Sequence, residues 1–78
     1  MLFRSLRFNV ADGKLECKGS FNASTQFAVY NMGGVKVASA TASHDCDSVM
    51  LDVEELPHGS YIVVVKDATA ARVYKIVL

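Results

Sequence analysis

Phe27-Ala28-Val29-Tyr30-Asn31-Met32-Gly33-Gly34-Val35-Lys36-Val37 is the stretch on which the reading of this chain turns. Phe27 and Val29 alternate with Ala28 and Tyr30, the period of two that marks a strand with one buried face. Asn31 and the two glycines then supply residues that tolerate a tight turn. Val35 and Val37 alternate with Lys36 on the way back, so the two valines are expected on one face. The segment predicts an antiparallel hairpin, with a strand over 25–31, a turn over 31–34 and a return strand over 35–38.

The same grammar extends in both directions. Upstream, Leu6, Phe8 and Val10 alternate with Arg7 and Asn9, giving a first strand over 2–10. Asp12-Gly13 is a two-residue hairpin signal, because both residues accept positive φ. The return strand over 14–18 places Leu15 and Cys17 on one face and Lys14, Glu16 and Lys18 on the other. Residues 19–24 read as a loop. Downstream, residues 41–47 are polar and read as a connection, and Val49, Leu51 and Val53 mark a fifth strand. The corner over 54–59 has Pro57 suited to position i+1 of a type I turn, with Gly59 at i+3. Tyr61-Ile62-Val63-Val64-Val65 is the most apolar run and is expected to be a central strand buried on both faces. Residues 67–71 form a hairpin loop. The last strand, 72–78, carries Tyr74, Ile76 and Leu78 on one face and Val73 and Val77 on the other.

About seven short strands joined by tight turns predict an all-β fold, an immunoglobulin-like antiparallel β-sandwich in a single domain over 1–78. No helical spacing with capping residues occurs, and the Ala-rich tracts are too short to nucleate a helix. At 78 residues and 51% hydrophobic content the chain can pack one core. A domain of this size buries about 60% of its unfolded surface, and its stability margin is on the order of 5 kcal/mol.

Composition excludes several functions. Formal net charge is zero, from 8 basic and 8 acidic residues, and the pI is about 6.7. Arg4 and Arg7 are the nearest approach to a basic cluster, so no nucleic-acid partner is expected. The uncharged run 61–65 is far shorter than a membrane-spanning helix. Cys17 and Cys46 are too few for a disulfide scaffold; they could pair if the fold brings them together in an oxidising compartment, and two separate thiols are the favoured reading. Cys17, His44, Cys46 and His58 lack the paired spacing of a structural zinc site. No Gly-x-Ser-x-Gly elbow accompanies the serines and histidines. Neither catalysis, nor a cofactor, nor a small-molecule substrate is expected.

Three segments, in order, resemble the C-terminal sorting domain of the type IX (Por) secretion system. The first is the hairpin, with Tyr30 and Asn31, an apolar residue, a variable position filled by Gly33, then Gly34. The second is Leu56-Pro57-His58-Gly59-Ser60-Tyr61, which completes the family's Leu-Pro-x-Gly-x-Tyr signature. The third is Lys75-Ile76-Val77-Leu78, a basic residue followed by apolar ones at the chain end. The resemblance covers most of the chain from about Leu15. The family usually begins with a Pro-rich segment, whereas Pro57 is the single proline here.

The resemblance implies an export address. A cargo fused upstream would be recognised in the periplasm by secretion-machinery proteins of the outer membrane of a Bacteroidetes-type bacterium. It would cross that membrane to the cell surface or the medium. The domain would then be cut off as the cargo is attached to surface lipopolysaccharide. The leader for the first membrane would lie upstream in the longer protein. The 56–61 corner and Tyr61 are expected to serve the fold first. Residues 75–78 are open to two readings, an edge strand finishing the sheet or the signal itself, and β-augmentation favours the second. Edge-strand self-association is a further possibility, since 61–65 has high β-propensity and no charge. The alternative function is a β-sandwich binding or adhesive module of a secreted protein.

Overall fold

A computed structural model describes residues 6–78. Residues 2–5 of the expected first strand, and Arg4, lie outside the described residues. Seven strands follow in order: β1 (Arg7–Ala11), β2 (Lys14–Phe21), β3 (Gln26–Tyr30), β4 (Lys36–Thr41), β5 (Cys46–Asp52), β6 (Ser60–Lys66) and β7 (Ala71–Val77). They form two antiparallel sheets, one ordered β1-β2-β5 and the other β4-β3-β6-β7. The connections β2–β3, β4–β5 and β5–β6 pass from one sheet to the other, as in immunoglobulin-like sandwiches.

Alternation builds the core between the sheets. Leu15, Cys17 and Leu51 face inward from one sheet, and Phe27, Val29, Tyr61, Val63, Val65 and Ile76 from the other. Two aromatic pairs join the sheets, each edge to face. Phe21 of β2 meets Phe27 of β3 at 4.8 Å between ring centres, and Phe8 of β1 meets Tyr74 of β7 at 5.3 Å. Such pairs contribute about 0.5–1.5 kcal/mol beyond the area they bury.

Several expectations change in the structure. Residues 19–21 belong to β2, not to a loop. The register advances by one extra residue between Lys18 and Phe21, and this bulge delivers Phe21 to the core. A Cβ on Gly19 would press on the end of the Leu6 side chain. β5 begins at Cys46, inside the expected connection, because Cys46 pairs with Phe21. A second bulge shifts β4 so that Ala38 and Ala40 stand opposite Val29 and Phe27. Val35 and Val37 therefore do not share a buried face: Val37 packs on the core while Val35 is exposed. β6 is central in its sheet, but it is not buried on both faces. Tyr61, Val63 and Val65 are buried, and Ile62 and Val64 lie half-buried on the outer face.

The cysteines are separate thiols. Burial, with the neighbouring Glu16 charge, pushes the Cys17 thiol up to about 12.

Candidate functional site

The β3–β4 turn is organised by one side chain. Asn31 Oδ1 accepts the backbone N–H groups of Gly33 at 2.9 Å and Val35 at 3.0 Å. The Asn31 carbonyl accepts the Gly34 N–H, and the Asn31 N–H donates to the Val35 carbonyl. These bonds close a three-residue loop in which Gly34 takes φ +87°. A three-residue hairpin needs a left-handed residue at that place, whereas Gly33 has no positive φ. The requirement for glycine at 34 and the freedom at 33 thus follow from the backbone.

The corner between β5 and β6 is closed differently from the expected turn. The reversal falls at Glu54 and Glu55, where the Leu56 N–H donates to the Val53 carbonyl at 3.1 Å. Pro57 does not sit in a turn closed across 56–59, because the Gly59 N–H donates elsewhere. Its acceptor is the Leu78 carbonyl at 3.1 Å, and the Leu78 N–H returns to the Gly59 carbonyl at 2.8 Å. The two residues exchange both ladder bonds and extend the β6–β7 pairing by one step beyond Ser60 and Val77. Gly59 holds φ +154°, a region essentially restricted to glycine, although open space surrounds the place of a Cβ.

Tyr61 locks the corner from inside. Its ring is only 6% exposed, and its hydroxyl donates to the Pro57 carbonyl at 2.7 Å. A tyrosine near the start of a sheet-crossing strand, bonded back to backbone a few residues upstream, is a known corner device of these sandwiches. Tyr61 also stands opposite Ile76 in the ladder. Two segments far apart in sequence, the corner and the last strand, are therefore one structural unit. No local signal in the sequence announces the Gly59–Leu78 pairing.

The eleven residues singled out from the sequence fall into three places. Asn31 and Gly34 build the hairpin turn. Leu56, Pro57, Gly59, Tyr61, Ile76 and Leu78 make the corner and its clasp, with Tyr61 and Ile76 in the core and Leu56 and Leu78 packed against it. Tyr30, Lys75 and Val77 lie on the outer face of the four-stranded sheet. Among the described residues β7 is an edge strand, bonded to β6 on one side only.

The other candidates stay apart. His44 Nδ1 lies 3.1 Å from the Ser43 hydroxyl, and Asp45 accepts the Ala23 N–H. Among the described residues no three His, Cys, Asp or Glu side chains gather into a metal-binding group. Two carboxylates serve turns. Asp67 accepts from the backbone of Thr69 and Ala70 and from the Thr69 hydroxyl, and these bonds hold its carboxyl below the usual value. Asp52 is lowered likewise by the Glu54 N–H and by Lys14, 3.5 Å away.

Comparison with known proteins gives one family. The family described as the secretion system C-terminal sorting domain matches residues 9–78. No curated protein and no solved structure matches the chain. With nearly the whole sequence inside that match, the chain belongs to the C-terminal sorting domains of the type IX (Por) secretion system.

Proposed function

We propose that residues 1–78 act as one non-catalytic export module, which carries a cargo fused upstream across the outer membrane and is removed once export is complete. Membership in the family makes the chain a type IX sorting signal and implies delivery to the cell surface or the medium. Recognition in the periplasm by outer-membrane secretion proteins and cleavage after transit go further, and they are our reading. The observation that carries it is the family match across residues 9–78. The junction of corner and last strand through Gly59 and Leu78 supports recognition of a folded end rather than of a linear tag.

The test is a reporter with a periplasmic leader, fused upstream of residues 1–78 and expressed in a type IX-competent bacterium. The reporter is expected at the surface or in the medium, freed of the domain. In a strain lacking the outer-membrane translocon it stays in the periplasm with the domain attached. Retention in the competent strain, with the domain folded, rules the reading out. Release of a reporter that still carries the domain removes the cleavage step alone.

A further inference from the structure

The outer face of the four-stranded sheet has a charge pattern that the neutral net charge conceals. Ladder register arranges it in rows across all four strands. One row runs Lys36, Tyr30, Ile62, Lys75, and the next runs Ser39, Ala28, Val64, Val73. Lys66 stands in the third row beside Gln26, and Val77 lies beyond the first row opposite Ser60. The exposed apolar side of this face is β7, where Val73 is 66% exposed and Val77 71%, while Ile62 and Val64 of β6 are half-buried. Lys36, Lys66 and Lys75 stand among these apolar residues, and no aspartate or glutamate occupies any position of these rows. The outer face of the other sheet differs, since Arg7, Lys14 and Lys18 alternate there with Glu16 and Asp52, and Lys14 is paired with Asp52.

We infer that this face is where the domain docks on a protein partner whose own surface intersperses apolar residues with carboxylates. Charge complementarity argues for that occupant, because acidic groups on the partner would meet Lys36, Lys66 and Lys75. A second copy of the chain fits poorly. Face-to-face pairing about a two-fold axis would bring six lysines together with no carboxylate between them. An anionic membrane also fits poorly, since membrane-seeking faces carry Trp, Phe or Leu, and this one carries valines, an isoleucine and a single tyrosine. The face includes Tyr30, Lys75 and Val77, three of the sorting-motif residues, and it adjoins the edge that β7 forms among the described residues. A partner seated here would reach side chains on both central and edge strands.

The inference rests on the sorting reading, and the test separates the two. In the reporter fusion, Lys36→Glu with Lys75→Glu reverses two charges of the face. Arg7→Glu with Lys18→Glu reverses two on the opposite sheet. The first pair is expected to lower export at least about tenfold, a factor corresponding to about 1.4 kcal/mol, and the second pair to leave it unchanged. Both variants are expected to keep the parent's thermal transition. Val73→Ser, at an exposed site with little bearing on stability, is expected to lower export as well. Equal export of the two charge-reversed pairs overturns the inference and leaves the sorting reading standing. Failure of the unsubstituted fusion to leave the periplasm overturns both. Two other outcomes also overturn the docking assignment. One is cosedimentation of the purified chain with phosphatidylcholine–phosphatidylglycerol vesicles that Lys36→Glu with Lys75→Glu abolishes. The other is a sedimentation dimer that Val73→Ser dissociates.

Discussion

Replacing Tyr61 by phenylalanine isolates the bond that closes the β5–β6 corner. The ring is buried and Phe fills nearly the same space, so packing is kept while the donor to the Pro57 carbonyl is lost. A neutral hydrogen bond contributes about 0.5–1.5 kcal/mol net. The bond is part-buried, and the expected loss is about 1 kcal/mol. For a domain of this length that corresponds to a fall of roughly 4–8 °C in Tm. Urea denaturation followed by circular dichroism is expected to show a lower midpoint at an unchanged slope. Tyr61→Ala removes the ring as well, at about 3–5 kcal/mol, comparable with the roughly 5 kcal/mol that a core this small provides. That variant is expected to have up to about half its molecules unfolded. Export discriminates further. With about 4 kcal/mol left, only about one Tyr61→Phe molecule in a thousand is unfolded, so export is expected to stay at the parent level. Unaltered stability in Tyr61→Phe would refute the corner bond. Collapsed export with a Tm only a few degrees lower would refute the assignment of this tyrosine to fold-setting.

Gly34→Ala is expected to cost about 1–2 kcal/mol, because the left-handed backbone alone opposes a side chain there, while Gly33→Ala stays within about 0.5 kcal/mol; equal urea midpoints for the two would contradict the three-residue loop. Gly13→Ala is expected to be the harsher glycine variant, since φ is +75° and the new Cβ would lie 2.8 Å from the Glu54 Cβ; a thermal transition like that of Gly34→Ala would contradict this. In native protein at neutral pH, iodoacetamide is expected to label Cys46 well before Cys17, whose thiol is buried and raised to about 12, and mass spectrometry of the timed digest reads the order. Asp67 is expected to titrate by NMR below an ordinary aspartate. Its carboxylate favours the folded loop above the unfolded-state value, and that contribution disappears as pH falls through the lowered folded value. An Asp67 titration indistinguishable from that of a flexible peptide would count against the loop bonds.

The fold is legible where local chemistry decides it. Asp12 and Gly13 both take positive φ, and few other residue pairs would do so, hence the first hairpin can be read directly. The alternation of Leu15 with Cys17 and of Phe27 with Val29 is enough to assign their faces. What escapes is set by partners distant in sequence. Gly19 and Ser20 have loop composition, and they extend β2 only because a bulge brings Phe21 to Phe27. Cys46 starts a strand because Phe21 is there to pair with it. Val35 and Val37 have the right spacing for one face, and the bulge in β4 separates them. Apolar residues on both faces of β6 resemble a strand buried on both sides, since sequence does not distinguish a face covered by its own core from one left for something else. The candidate residues are visible as types and spacings, while their division into turn, clasp and outer face is not.

That division bears on how a short, degenerate motif set can act as a specific signal. If the last strand were read as a free peptide, residues 75–78 would need no corner, and Gly59 and Tyr61 would have no bearing on them. The structure joins them. Leu78 is held in register by Gly59, and Gly59 is held in its unusual conformation beside a corner pinned by Tyr61. Ile76, opposite Tyr61, draws the strand into the core and so fixes which side chains of β7 face outward. Since side-chain direction alternates with a period of two, a slip of one residue would turn Lys75 and Val77 inward and Ile76 outward. The corner therefore acts as a register stop for the strand that presents Lys75 and Val77. The candidate residues inside the core and those outside it are two halves of one arrangement, one setting the register and the other displayed by it.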